Sequence, residues 1–436
     1  MRVISIFLWV MVLGGVLLAK NPPFSLYTLN GEEEGHTLLV IGGIHGDEPG
    51  GYFAPAILAQ YYTIKKGNVW IVPNLNPDSI MAFKRGIYKD MNRKFAHISP
   101  KDPDFDNVVR IKEIIKDPKV NFVVNLHDGH GFYREKWENS IFNPKAWGQT
   151  YVIDQKSLGD VLFGDLDNIT KQIEMKLNQN LHYDFHTFGV RNTQTRFNDE
   201  EQQNSLTFFA VTNLKPAIAI ETSKNIKKLA LKTFYQLSSI EVLMDIMGIK
   251  YERGFEMNLE EVGKKIKEYG KLSINENITL ELENIRNVIN FMPLKKGENN
   301  FIFTHPLGKI YQSKQGYEVF VGHQKLTLLK PDYFAMECDI KDMNISLDKQ
   351  ALQAVKFGAI LEAKEQFLVE GREGIRVNVI GYAKKGVVSE DNMEIKLDWI
   401  DGNYSLDKDK KIFRIEVYKG SNFCGMINIK KETNAA

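Results

Sequence analysis

At 436 residues, with 43% hydrophobic and 25% charged side chains, the chain has enough apolar mass for several packed domains, which excludes disordered and collagen-like classes. Lys and Arg number 56 against 55 Asp and Glu, and a net charge of +1 supplies no field to gather nucleic acid phosphates, so no nucleic acid partner is expected. Two cysteines, Cys338 and Cys424, exclude a disulfide framework and a thiolate zinc cluster, leaving one disulfide or two free thiols.

Met1 and Arg2 precede an uncharged run over residues 3–19, which Lys20, Asn21, Pro22 and Pro23 end. The run is slightly longer than a signal core of about 7–15 residues and at the short limit of a membrane span of about 17–25. Residues 1–20 therefore read as a signal peptide cut after Ala19 or as an uncleaved N-terminal membrane anchor. Both place the rest of the chain outside the cytoplasmic membrane.

Short apolar runs then alternate with helical periodicity up to about Gly248, the sign of a mixed or parallel sheet covered by helices. The runs 38–41, 69–72, 121–126 and 217–220 are too short and too β-branched for helices and read as buried strands. They end at Gly42-Gly43, Pro73-Asn74, His127 and Glu221 respectively. Residues 21–250 are thus expected to form one α/β unit with helices on both faces of its sheet. An amphipathic helix is predicted over 257–271, with Leu259, Val262, Ile266 and Tyr269 on one face. Beyond it, alternating pieces such as 318–321, 374–379 and 412–417 predict two small all-β, sandwich-like domains, 251–346 and 347–436, cut within the polar stretch 344–349.

No Gly-x-Ser-x-Gly elbow, phosphate loop or His-Glu-x-x-His helix is present. The informative polar residues stand instead at the carboxyl ends of the predicted strands, where open α/β sheets place their ligands. Gly43-Ile44-His45-Gly46-Asp47-Glu48 follows the first run, and its turn could aim His45 and Glu48 at one metal ion, with His127 as the third ligand. Two His and one Glu form a catalytic zinc set with an open position, whereas structural zinc favours four ligands. Taken alone, His45 could equally be a turn residue and Glu48 a helix-start acid. Arg85 and the Asn92-Arg93 pair suit a terminal carboxylate, and Asp90 could accept the second imidazole proton of His45. Glu221 could act as a general base, or cap the segment that Thr222 and Ser223 begin. His130 could line the substrate side or shape its loop. His182 and His186 read as an ordinary pair, and His36, His97, His305 and His323 as structural.

In order and residue type, His45-Gly46-Asp47-Glu48, Asn76-Pro77-Asp78, Asp90-Met91-Asn92-Arg93, His127 and Glu221 resemble the zinc carboxypeptidases of the carboxypeptidase A superfamily, over roughly the first 250 residues. The leader, the Ile41-Gly42-Gly43-Ile44-His45 context and the β domains look more narrowly like the periplasmic peptidoglycan DL-carboxypeptidases that determine cell shape in helical bacteria by trimming tripeptide stems to dipeptides. The resemblance implies zinc on His45, Glu48 and His127, Arg85 polarising the scissile carbonyl, Asn92 and Arg93 holding the free carboxylate, and Glu221 as base. It also implies a periplasmic location, muropeptides as substrate, and wall or protein partners at the β domains. Digestive relatives carry a tyrosine shortly before the catalytic glutamate, yet residues 190–219 hold none. Competing readings are a zinc N-acyl amino acid deacylase of the aspartoacylase and succinylglutamate desuccinylase type, and an inactive wall-binding scaffold.

Overall fold

The computed structural model describes residues 24–432, so the predicted leader lies outside the described residues. The α/β unit is built on β1 (Tyr27–Asn30), β2 (Glu33–Ile41), β3 (Tyr62–Val72), β4 (Val120–Gly129), β5 (Thr150–Ile153), β6 (Gly189–Asn192), β7 (Ala217–Ser223) and β8 (Lys250–Arg253). Their order is β1-β3-β2-β4-β7-β5-β6, with β8 also on β3. The centre, β3-β2-β4-β7, is parallel, and β5 joins β7 antiparallel. Thr37 to Ile41 of β2 are all buried, as a parallel strand covered on both faces requires. Helices α1 (Pro49–Tyr61), α2 (Phe105–Lys116), α3 (Leu166–Asn178), α4 (Leu206–Thr212) and α5 (Leu229–Ile246) cover the sheet: α1 and α5 pack on each other and on β4 and β7, while α2 and α4 pack on β4. The apolar runs predicted as strands lie inside β2, β3, β4 and β7, but β4 and β7 continue past His127 and Glu221 by two residues each.

The amphipathic stretch 257–271 forms a shorter helix, α6 (Leu259–Lys265). Asn258 caps it by accepting from the Glu261 amide, and Gly270, at φ +71°, turns the chain into strand Lys271–Ile274, where Leu272 and Ile274 are buried. Burial in a sheet overrides the helical period there. The following segment forms a three-stranded sheet (Lys271–Ile274, Ile278–Glu281, Phe301–Phe303) and a four-stranded one (Val288–Lys295, Gly308–Ser313, Gly316–Val321, Gln324–Phe334). Its apolar residues, among them Leu272, Val319 and Leu329, belong to the same core as the α/β unit. The C-terminal strands make two more four-stranded sheets around a second core that includes Met343, Phe367, Ile415 and Ile429, while Ile412, Tyr418, Phe423 and Met426 of those strands join the first core.

Strand Asp342–Leu347 pairs with Gln353–Lys356 and Gln366–Val369, both on its C-terminal side. A cut at 346/347 therefore runs through the C-terminal sheet, and sheet membership changes ahead of residue 342. Polar Asn344 and Ser346 alternate there with buried Met343 and Ile345, a half-exposed strand whose polar face reads as a linker. Cys338 and Cys424 are joined in a disulfide that ties this junction to strand Asn422–Lys431. No helix among the described residues is long and apolar enough to cross a membrane.

Candidate active site

Glycines set the first turn of the site. Gly43 holds φ +70°, and a side chain at Gly46 would collide with the Ser79 carbonyl, so the loop after β2 lies flat on residues 79–80. Pro49 opens α1 with its fixed φ, and Glu48 at the cap position makes no capping bond. The Glu48 carboxylate instead faces His45 and His127: Oε1 is 3.0 Å from His45 Nδ1, and Oε2 is 2.9 Å from His127 Nδ1. The two Nδ1 atoms are 3.2 Å apart, and all three residues are buried.

This donor set fits a metal ion. The outer nitrogen of each imidazole has its own partner, so Nδ1 is left to point inward. His45 Nε2 lies 2.8 Å from Asp90 Oδ1. His127 Nε2 lies 2.8 Å from the Asn125 amide, whose buried Oδ1 has no other partner. Turning that amide over lets Oδ1 accept from His127 Nε2–H, the tautomer a metal ligand needs. The site also demands positive charge. Burial pushes the His45 imidazole down, yet Glu48 and Asp90 outweigh it and hold it up at about 9. Burial lowers His127, with Glu48 opposing. Burial alone would raise the Asp90 carboxyl, but His45 and Arg85 keep it well below the usual carboxylate range.

The remaining predicted residues converge on a cleft of about 240 Å³ above this triad. Arg85 donates to Glu48 Oε1 through Nη1 (3.0 Å) and to Asp90 Oδ2 through Nε (3.0 Å). Asn92 accepts from the Leu206 amide through Oδ1 (2.9 Å), which leaves its NH2 for the cleft. Glu201 fixes Arg93 by accepting from Nε at 2.8 Å. His127 on β4 and Glu221 on β7 are direct register partners, which sets the carboxylate beside the triad. Burial and the Glu48 charge raise the Glu221 carboxyl well above its usual range. Exposed His130 lines the rim. His182 and His186 stay outside the cleft: His186 Nδ1 lies 3.0 Å from the Tyr235 hydroxyl, and its ring stacks on Phe132.

The structure adds residues with weak sequence signals. Lys224 bonds Asp47 (2.7 Å) and approaches Glu48 (3.5 Å). Asp128 pairs with Lys232 at 2.7 Å beneath His127. No tyrosine lines the cleft among the described residues; its aromatic wall is Trp147, with the Arg191 guanidinium 3.9 Å above the ring. Asp128 could have been suspected from its place beside His127, whereas Trp147, Thr207 and Asp154 reach the cleft only through the fold.

A metal triad with a flanking base, on a mixed sheet and facing an arginine–asparagine clamp, is the arrangement of a metallocarboxypeptidase. Residues 1–267 match the family described as the catalytic domain of a carboxypeptidase controlling helical cell shape, and the chain belongs to that family. Residues 336–432 match the C-terminal domain of metallo-carboxypeptidase. Among solved structures, the tripeptide-bound cell shape determinant Csd4 from Helicobacter pylori is 32% identical and superposes with a TM-score of 0.88, over 94% of this chain and 100% of that one. The mDAP-bound form of H. pylori Csd4, described as a D,L-carboxypeptidase, is 33% identical with a TM-score of 0.87, over 91% and 97%. No curated protein sequence matches the chain.

Proposed function

We propose that the chain is a zinc-dependent, periplasmic DL-carboxypeptidase that removes the terminal diaminopimelate-type residue from muropeptide tripeptide stems. The convergence of His45, Glu48 and His127 on one point, with Glu221 in register beside them, carries this reading. A zinc ion there supplies Lewis-acid polarisation and makes water acidic near neutral pH. Asn92 and Arg93 hold the substrate's free carboxylate, which orients the last amide over Glu221. Glu221 takes the proton of the attacking water and passes it to the leaving amine. The Arg85 guanidinium balances the charge that develops on the carbonyl oxygen. The Cys338–Cys424 disulfide supports an oxidising compartment, in line with the export leader.

Mass spectrometry of muropeptides before and after digestion by the zinc-loaded protein tests the reading. Tripeptide stems are expected to become dipeptides, chelation to stop the reaction and zinc to restore it. Glu221→Gln is expected to lower kcat about 10²–10⁴-fold. Absence of stoichiometric metal refutes it and favours an inactive scaffold, and a parental rate for Glu221→Gln refutes the proposed role of Glu221.

A further inference from the structure

One wall of the cleft runs along the sheet away from the metal triad. Glu221 pairs with Thr150, and Ala219 with Val152, in the antiparallel β7–β5 ladder. Glu221, Ala219 and Val152 therefore share one face, and all three line the cleft. Asp154 continues that alternation two residues, about 7 Å, beyond Val152, and lines the cleft too. The methyl group of Ala219 leaves the trough open between Glu221 and Asp154.

Asp154 is only 4% exposed. Its carboxylate accepts from the hydroxyls of Thr195 and Thr207, makes no ion pair among the described residues, and feels the negative charge of Asp199. Burial, aided by Asp199, pushes the carboxyl up to about 6 against the pull of the two hydroxyls. A buried carboxylate with no counter-cation is costly to keep, and two hydroxyl donors leave part of its roughly four lone-pair sites free. The first turn of α4, which carries Thr207, also presents the Leu206 amide to Asn92, so the carboxylate clamp and the foot of the trough are held by adjacent residues.

We propose that Asp154 selects the amino acid that is released: it receives the side-chain ammonium of a diaminopimelate-type terminal residue whose α-carboxylate sits at Asn92 and Arg93. This rests on the carboxypeptidase reading above and names the group that reads the side chain. If Asp154 only braced Thr195 and Thr207, a neutral amide would serve as well, and the substrate's distal amine would be irrelevant.

The zinc-loaded full chain is given two tripeptide stems, one ending in meso-diaminopimelate and one in 2-aminopimelate, which lacks only the side-chain amine. The parent is expected to favour the diaminopimelate stem by about 10–100-fold in kcat/KM. Asp154→Asn is expected to bring the two values within about twofold of each other, the mark of a lost differential contact. Equal values for the parent overturn the assignment without recourse to any variant, as does a parental ratio in Asp154→Asn. Cleavage of neither stem by the parent overturns the carboxypeptidase reading itself, whereas cleavage of both at equal rates overturns only the role of Asp154.

Discussion

Asp128 follows the metal-facing His127, is fully buried, and pairs with Lys232 of α5 at 2.7 Å. It also accepts from the Gly50 amide at 3.0 Å in the first turn of α1, the helix that Glu48 precedes, and from the Thr222 hydroxyl on β7. One carboxylate thus joins the three elements that carry Glu48, His127 and Glu221. Lys232→Met removes the cation bonded to it and leaves a buried negative charge with neutral donors. Breaking a buried pair by deleting one partner costs about 3–5 kcal/mol, and the remaining donors place the expected loss near 3 kcal/mol. For a unit of this size that corresponds to a fall in Tm of about 6–12 °C. Urea unfolding at pH 7 reads the loss directly, and a second variant separates charge from packing. Lys232→Met with Asp128→Asn keeps the shape and removes the stranded charge, so it is expected to recover at least half of the loss. A single variant within about 0.5 kcal/mol of the parent, or a double variant no better than the single, refutes the argument.

His305, buried with its Nδ1 accepting from the Leu307 amide at 3.1 Å, gives a pH dependence. Burial drives its imidazole from 6.5 down to about 4. The unfolded chain therefore takes a proton that the folded one refuses, so the stability tied to His305 is complete above about pH 6.5 and falls by about 3 kcal/mol toward pH 4. Stability measured across that window in His305→Gln is expected to show a flatter slope, and an unchanged slope counts against it. The Cys338–Cys424 bond closes a segment of 86 residues, so loop-closure entropy assigns it about 4–5 kcal/mol, felt by the C-terminal core. Denaturant unfolding of the Cys338→Ser, Cys424→Ser pair checks this, and a cost below about 1 kcal/mol contradicts it. Arg93→Lys keeps the charge but loses the fork that Glu201 positions, so KM for the tripeptide is expected to rise about 10-fold or more with a smaller change in kcat. An unchanged KM places the substrate carboxylate elsewhere.

Three chemical groups of the site were legible in the sequence because each follows the end of an apolar run closely. His45, His127 and Glu221 stand where buried strands reach the edge of the sheet, and such runs announce themselves by composition. Asp90, Asn92 and Arg93 were legible because they are consecutive or nearly so and carry opposed charges and an amide. Register explains what remained hidden. Asp154 reaches the cleft because β5 pairs antiparallel with β7 in a sheet that is parallel at its centre, and no local pattern around residues 150–154 encodes that direction. Trp147 lies in a loop whose course is fixed by backbone bonds such as Trp147 N–H to the His130 carbonyl at 3.0 Å, again a long-range contact.

The β half shows the same limit from the other side. Its strands were visible by alternation, but alternation reports one buried face and not which body covers it. The central β segment packs its apolar residues into the core of the α/β unit, and Tyr52 of α1 meets His323 there, hydroxyl to Nδ1 at 2.7 Å. The C-terminal strands bury one set of residues, such as Ile415 and Ile429, in their own core and turn Ile412, Tyr418, Phe423 and Met426 to the first core. On strand Ile412–Lys419, Arg414 turns a charged face back toward the central segment and donates to the Asn290 and Phe291 carbonyls at 3.1 and 3.4 Å. A guanidinium buried against backbone carbonyls fixes orientation more strictly than an apolar contact would, because a small slip leaves its donors unpaired. Those two bonds tie strand Ile412–Lys419 of the C-terminal body to the segment that shares its core with the catalytic sheet.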